Sequence, residues 1–205
     1  MLFLQPLYDM MTHALAGRIN HFALIKLIFY SLDKTLFYFL IFVVLRLLWL
    51  LIVKRRRSIR SEAAVWIFAF YFILLLMLTT FRDTYFPWQL TFNFHRSLSD
   101  INLVFMKETV KLVHGASLLD FFYNSLGNIA WFVPYGFLMP ILLRKRYCFW
   151  KVTLLGMLTS VGIEALQFVL MTGVSDIDDV FFNVCGTVLG YALYRIVLHY
   201  HKQFI

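Results

Sequence analysis

Apolar residues run through this chain in stretches of about 20, the length at which a helix rising 1.5 Å per residue crosses a hydrocarbon core of roughly 30 Å. The pattern predicts five membrane spans, at residues 34–53, 62–81, 124–143, 149–171 and 180–198. The first stops at Lys54-Arg55-Arg56-Arg57, the second at Arg82 and Asp83, the third at Arg144-Lys145-Arg146 and the fifth near His199 and Lys202. Residues 82–123 form a polar interval with Pro87, Asn93, His95, Arg96 and Ser99. Inside it, Asp100, Lys107, Lys111 and His114 share one helical face while Ile101, Phe105 and Leu112 share another. That pattern suits an interfacial helix in the outer loop, or a short helix packed on the bundle. Residues 1–33 are apolar but interrupted by Pro6, Asp9, His13, Arg18 and Lys26. They lack the ordered regions of a signal peptide, and their mixed pattern predicts an amphipathic helix lying partly along the interface.

Composition agrees with the spans. Of 205 residues, 61% are hydrophobic and 15% charged, which places the chain among integral membrane proteins and predicts an all-α, polytopic transmembrane helix bundle in a single domain, 1–205. The net charge of +8 would suit nucleic acid if it formed a patch. It sits instead in short clusters at span ends, as membrane orientation requires, so the partner it implies is the lipid bilayer and nucleic acid is excluded. Keeping the basic ends inside makes the C-terminus cytoplasmic and puts loops 82–123 and 172–179 outside; the N-terminus is outside too, unless segment 1–33 inserts and returns. Cys148 and Cys185 are the two cysteines, and their positions suit packing rather than a disulfide framework or a metal site.

Within the last three spans, polar residues recur at helical intervals. Ser160, Glu164 and Gln167 are four and three apart and share one face. Glu164 lies about 12 Å along the helix from Thr172, a depth at which an ionisable group is costly and becomes a functional candidate, or a glue residue bonding across helices. Asp179, Asn183, Gly186 and Gly190 repeat the geometry, and the glycines form a small-xxx-small pair that admits a neighbouring helix. Asp176 or Asp178 can cap the last span. Asn124 and Asn128 share a face of the third span, with Tyr135 beyond them, and Pro134 predicts a kink. Arg46, eight residues before Lys54, either snorkels to the inner interface or pairs with Glu164.

Three functions fit this pattern. An outward-facing pocket of Asn124, Asn128, Glu164, Gln167, Asp176, Asp178, Asp179 and Asn183 could bind an amphipathic ligand. An intramembrane enzyme acting on a lipid-linked phosphate could use Glu164 as general base, with Asp176, Asp178 and Asp179 holding a divalent cation such as Mg²⁺ or Ca²⁺; no resident cofactor is otherwise expected. A structural or assembly protein would use the polar faces only to join helices.

Three blocks carry a resemblance: NSLGNIAWFVPYGFLMP, SVGIEALQ and DIDDVFFNVCGTVLGY. They resemble the signature blocks of the VanZ-like family, N-x-x-x-N-x-x-x-F-x-P-x-G-F-x-x-P, S-x-x-I-E-x-x-Q and D-x-D-D-x-x-x-N-x-x-G, in order and spacing over a signature core at residues 124–191. Asn102-Leu103-Val104-Phe105 is similar to the family's N-L-x-P-F block without its proline. Where many relatives have an Arg before the acidic run, this chain reads Gly173-Val174-Ser175. The resemblance implies a multi-pass protein of the bacterial cell membrane, and the family's named members give low-level resistance to teicoplanin, a glycopeptide with a lipid tail. The ligand so implied is an amphipathic envelope intermediate or the lipoglycopeptide itself. Some relatives are labelled phosphotransbutyrylases; with no nucleotide loop and no soluble fold to hold an acyl-CoA, that activity is not expected here.

Overall fold

The computed structural model describes residues 1–15, 22–53, 58–106, 118–144 and 148–203, with side chains 15, 22–23, 118–124 and 201–203 outside that description. The helices are α1 (Gln5–Leu15), α2 (Phe22–Val53), α3 (Ile59–Thr79), α4 (Leu118–Leu143), α5 (Phe149–Leu170) and α6 (Ile177–Gln203). The last five are long and apolar enough to cross a membrane, so the fold is the expected all-α arrangement. Two compact units divide the chain, Met1–Leu90 and Thr91–Ile205.

In the first unit, α2 and α3 pair as an antiparallel hairpin, with Ser31 Oγ donating to the Met77 carbonyl near one end and Arg46 meeting Glu62 towards the other. Where the pattern predicts a first span from residue 34, the helix already runs from Phe22 among the described residues. The difference lies in Asp33 and Lys34, which read as a boundary but are both completely buried. Each is neutralised by a chain end that the sequence pattern does not reveal. The Asp33 carboxylate accepts the backbone N–H groups of Leu2, Phe3 and Leu4, each at 2.7 Å, and the Tyr85 hydroxyl at 2.7 Å. These amides lead into α1, where helix-start donors and the dipole favour an anion. Lys34 Nζ donates to the carbonyls of Phe81, Arg82 and Thr84, just past the C-terminus of α3, where a cation is favoured for the opposite reason. The amino-terminal segment is thereby tied to the end of the hairpin from which residues 80–90 emerge. Burial and the bond to Asp33 hold the Tyr85 phenol well above its ordinary pKa.

Arg46 pairs with Glu62, not with Glu164, through Nε–Oε1 and Nη2–Oε2 bonds of 2.7 and 2.9 Å. Trp66 Nε1 donates to the same carboxylate at 3.1 Å, and the guanidinium lies 4.5 Å from the Trp49 ring centre. This bidentate pair explains how a cation sits eight residues inside a span.

In the second unit, α4 and α6 approach backbone to backbone. A Cβ on Gly186 would overlap the Ile129 carbonyl, and one on Gly190 would meet the Val133 carbonyl and the Phe137 amide. Gly136 reciprocates against Thr187. The small-xxx-small reading of Gly186 and Gly190 therefore describes the contact. α5 joins beside α6, where Gly156 lies against the Thr187 side chain and Val152 and Cys148 pack on Tyr191. Helix α4 continues through both Pro134 and Pro140. Leu154, Leu158, Val161, Leu189, Leu193 and Ile196 face outward, as lipid-facing positions should. Beyond Asp100 the expected loop helix does not form over residues 101–106, which are bends and turns; Lys107, Lys111, Leu112 and His114 lie outside the described residues.

Removing one partner of a desolvated ion pair costs more than replacing both with apolar groups. Glu62→Leu alone is therefore expected to lower unfolding stability by about 1–3 kcal/mol, and Arg46→Met with Glu62→Leu by less than about 1 kcal/mol. Denaturant unfolding of the purified variants checks the order, and an additive double variant would contradict the pairing.

Candidate functional site

The site residues meet around the first turn of α6. Asp176 caps that helix: its Oδ1 accepts the Asp178 amide at 2.9 Å, satisfying a donor that the helix start leaves open. Its Oδ2 takes the Asn102 side-chain amide at 3.0 Å, while its own N–H donates to Glu164 Oε2 at 3.1 Å. Glu164 is 8% exposed, so this buried carboxylate on α5 holds the turn that starts α6. Ser175 Oγ reinforces the tie by donating to the Glu164 carbonyl at 2.7 Å.

The three aspartates diverge. Asp178 Oδ1 accepts the Met106 amide at 2.6 Å, and Asp179 Oδ1 accepts the Asn128 side-chain amide of α4 at 2.6 Å. One aspartate caps, one holds the preceding loop and one reaches α4. Among the described residues, no three His, Cys, Asp or Glu side chains are grouped so that they could hold a metal ion. Deeper in the span, Asn183 donates to Ser160 Oγ at 2.8 Å, joining α6 to α5, and Tyr135 shares a 3.0 Å bond with Thr159. Ser160, Glu164 and Gln167 are all buried, as one shared face requires. The Gln167 carbonyl accepts the Thr172 amide at 3.1 Å and so closes the end of α5, where Met171 takes a left-handed backbone with φ 55°. Asn124 falls among the side chains outside the description.

Three contributors were not among the expected site residues: Arg96, Asn102 and Met106. Asn102 pairs with the strand-like stretch before α6, receiving the Ile177 amide at 3.0 Å and donating its own to the Ser175 carbonyl at 2.9 Å. Arg96 Nη1 donates to the Phe168 and Gly173 carbonyls at 3.2 and 3.3 Å, with the guanidinium 4.7 Å from the Phe168 ring centre. A cation is thus brought from the preceding loop to the turn that carries no Arg of its own. The signal available in sequence for Asn102 was the Asn102-Leu103-Val104-Phe105 stretch; nothing local marks Arg96 as the donor for the carbonyls at the C-terminus of α5.

A family model described as VanZ/LLP1 matches residues 68–198. The chain belongs to the VanZ/LLP1 family. The match takes in α4, α5 and α6 almost entirely, together with the loop that carries Arg96 and Asn102, so the bonded set around Asp176 lies within the family's region. With five helices fit to cross a bilayer, this is a multi-pass membrane protein of the VanZ type. Comparison with curated proteins found no match, and comparison with solved structures found none.

Charge-assisted bonds to carbonyls are stronger than neutral ones, so Arg96 should control the order of its loop. Arg96→Leu is expected to speed hydrogen exchange at the Asn93 and Asn102 amides about tenfold, with Arg96→Lys between it and the parent. Unchanged exchange at both amides would show that Arg96 does not hold the loop.

Proposed function

We propose that this VanZ/LLP1 protein acts in the bacterial cell envelope. It binds an amphipathic molecule, a lipid-linked wall intermediate or a lipoglycopeptide, at the polar end of α4, α5 and α6, and contributes to teicoplanin-type resistance. The observation that supports this reading most is the composition of that end. Half-buried Asn128, Asp176 and Asp179 stand beside exposed Leu103, Val104, Phe105, Val174 and Phe181. A headgroup with several hydrogen-bonding groups would find acceptors and donors there, and its lipid tail would find apolar neighbours. The ligand would have to exchange with existing bonds such as Asn128 to Asp179 rather than enter an empty cavity. The orientation that goes with this reading has the polar end outside and the C-terminus cytoplasmic.

A second reading is favoured by those same bonds. Glu164, Asp176, Asp178, Asp179 and Asn183 all bind neighbouring elements, which is what an assembly protein needs to hold its helices and loop in register.

The two readings separate in one experiment. A sensitive Gram-positive host expressing the parent should survive teicoplanin better than the empty host. Glu164→Gln and Asp179→Asn should lose that protection at matched membrane abundance. Loss of abundance in step with protection would favour assembly, and no protection by the parent would sink the resistance reading.

A further inference from the structure

Among the described residues of the first unit are cavities lined by none of the residues at the polar end of α4–α6. One, of about 540 Å³, is lined by Lys26, Leu27, Tyr30, Arg82 and Asp83. Another, of about 130 Å³, is lined mainly by apolar groups, including Tyr38, Met77, Phe81, Phe86 and Leu90. They share one stretch of backbone: Phe81 and Thr84 line the apolar cavity, while Arg82 and Asp83 between them line the charged one. The two are therefore adjacent faces of a single turn. Buried Lys34 fixes that turn by binding the carbonyls of Phe81, Arg82 and Thr84.

We propose that these cavities form a binding site for an anionic, phosphate-bearing amphipath, its phosphate at Lys26 and Arg82 and the first part of its chain in the apolar groove. Charge complementarity commits the site to this occupant. Two cations and Asp83 leave one net positive charge, which matches a phosphodiester monoanion. Arg82 donates Nε to the Thr79 carbonyl at 3.2 Å, so the guanidinium is oriented while its Nη groups have no partner among the described residues. Those groups are the fork that binds two phosphate oxygens. The helix register supports the pairing: the antiparallel alignment that sets Arg46 against Glu62 and Ser31 against Met77 brings Lys26 level with Arg82. With 21 residues in α3, that helix spans roughly 30 Å, about the thickness of a hydrocarbon core, and Arg82 lies just beyond its end, where a spanning helix of that length would meet the headgroups. This site, in the first unit, is separate from the polar end of α4–α6 and goes beyond the reading above. It rests on that reading only for which amphipath is physiological.

The test is equilibrium binding to the purified full chain in neutral detergent. The probes are dioctanoyl phosphatidylglycerol, dioctanoyl phosphatidylcholine, farnesyl phosphate and inorganic phosphate. The glycerol lipid should bind about tenfold more tightly than the choline lipid of equal chain length. Lys26→Gln and Arg82→Gln should each weaken it several-fold, and the double variant should bind both lipids alike. Leu90→Trp, which fills the groove, should weaken both lipids. Lys151→Gln, an exposed charge in the second unit, should keep the preference, and unchanged thermal midpoints show that the variants fold. Farnesyl phosphate binding tighter than the glycerol lipid supports a lipid-linked intermediate as source, and the reverse order supports a bilayer phospholipid. Equal affinity of the parent for both glycerolipids, a preference that survives the double variant, or inorganic phosphate binding as tightly as the lipids would overturn the proposal. Because binding is read on purified protein, failed teicoplanin protection leaves it standing, and a lost anion preference leaves the resistance assay standing.

Discussion

Hydrocarbon provides no hydrogen-bond partners, so every polar group carried into a span must find one inside the protein. Both units meet this constraint at their buried charges with the same device. A side-chain charge is matched to backbone groups at or beside a helix end in another chain segment. Asp33 takes amides leading into α1, Lys34 takes carbonyls beyond α3, Glu164 takes the amide before α6, and Arg96 takes carbonyls at the end of α5. Each bond satisfies two deficits at once, the buried charge and the unfilled helix terminus. The loops are consequently set by the helix ends they bond.

That device also explains what could be read in the sequence. Apolar run lengths revealed the spans, and the three- and four-residue spacings of Ser160, Glu164, Gln167, Asn183, Gly186 and Gly190 revealed which faces turn inward. Periodicity is a property of one helix, and those faces follow from it directly. Partners are a property of two segments distant in sequence. Asp33 and Lys34 looked like the edge of a span because their compensating groups are backbone atoms near residues 2–4 and 81–84, which any sequence would supply. Of the two readings open for Arg46, snorkelling or pairing with Glu164, neither named its partner for the same reason: Glu62 and Glu164 both lie in apolar surroundings, and only the hairpin register selects Glu62. Arg96 and Asn102 sat in a loop whose fold depends on turns elsewhere; the Asn102-Leu103-Val104-Phe105 stretch marked Asn102 by resemblance alone, and neither could be assigned its partners.

The candidate site follows from these ties. The acidic run looks like a ligand cluster when read as a string, yet Asp176, Asp178 and Asp179 turn to an asparagine, a loop amide and α4 respectively. Their role in the fold is to gather a loop and three spans at one end, where glycine contacts have already brought α4 and α6 together. The groups at that end are held in place by one another, and a change at any one of them is felt through the set.

The central claim is that these polar residues are coupled partners and not independent ornaments of separate helices. A double-mutant cycle on Asn128 and Asp179 tests it most directly, using unfolding free energies of the parent, Asn128→Leu, Asp179→Leu and the double variant. The 2.6 Å bond between α4 and α6 predicts a coupling of about 1–2 kcal/mol. Single costs that add to within about 0.3 kcal/mol would contradict the account.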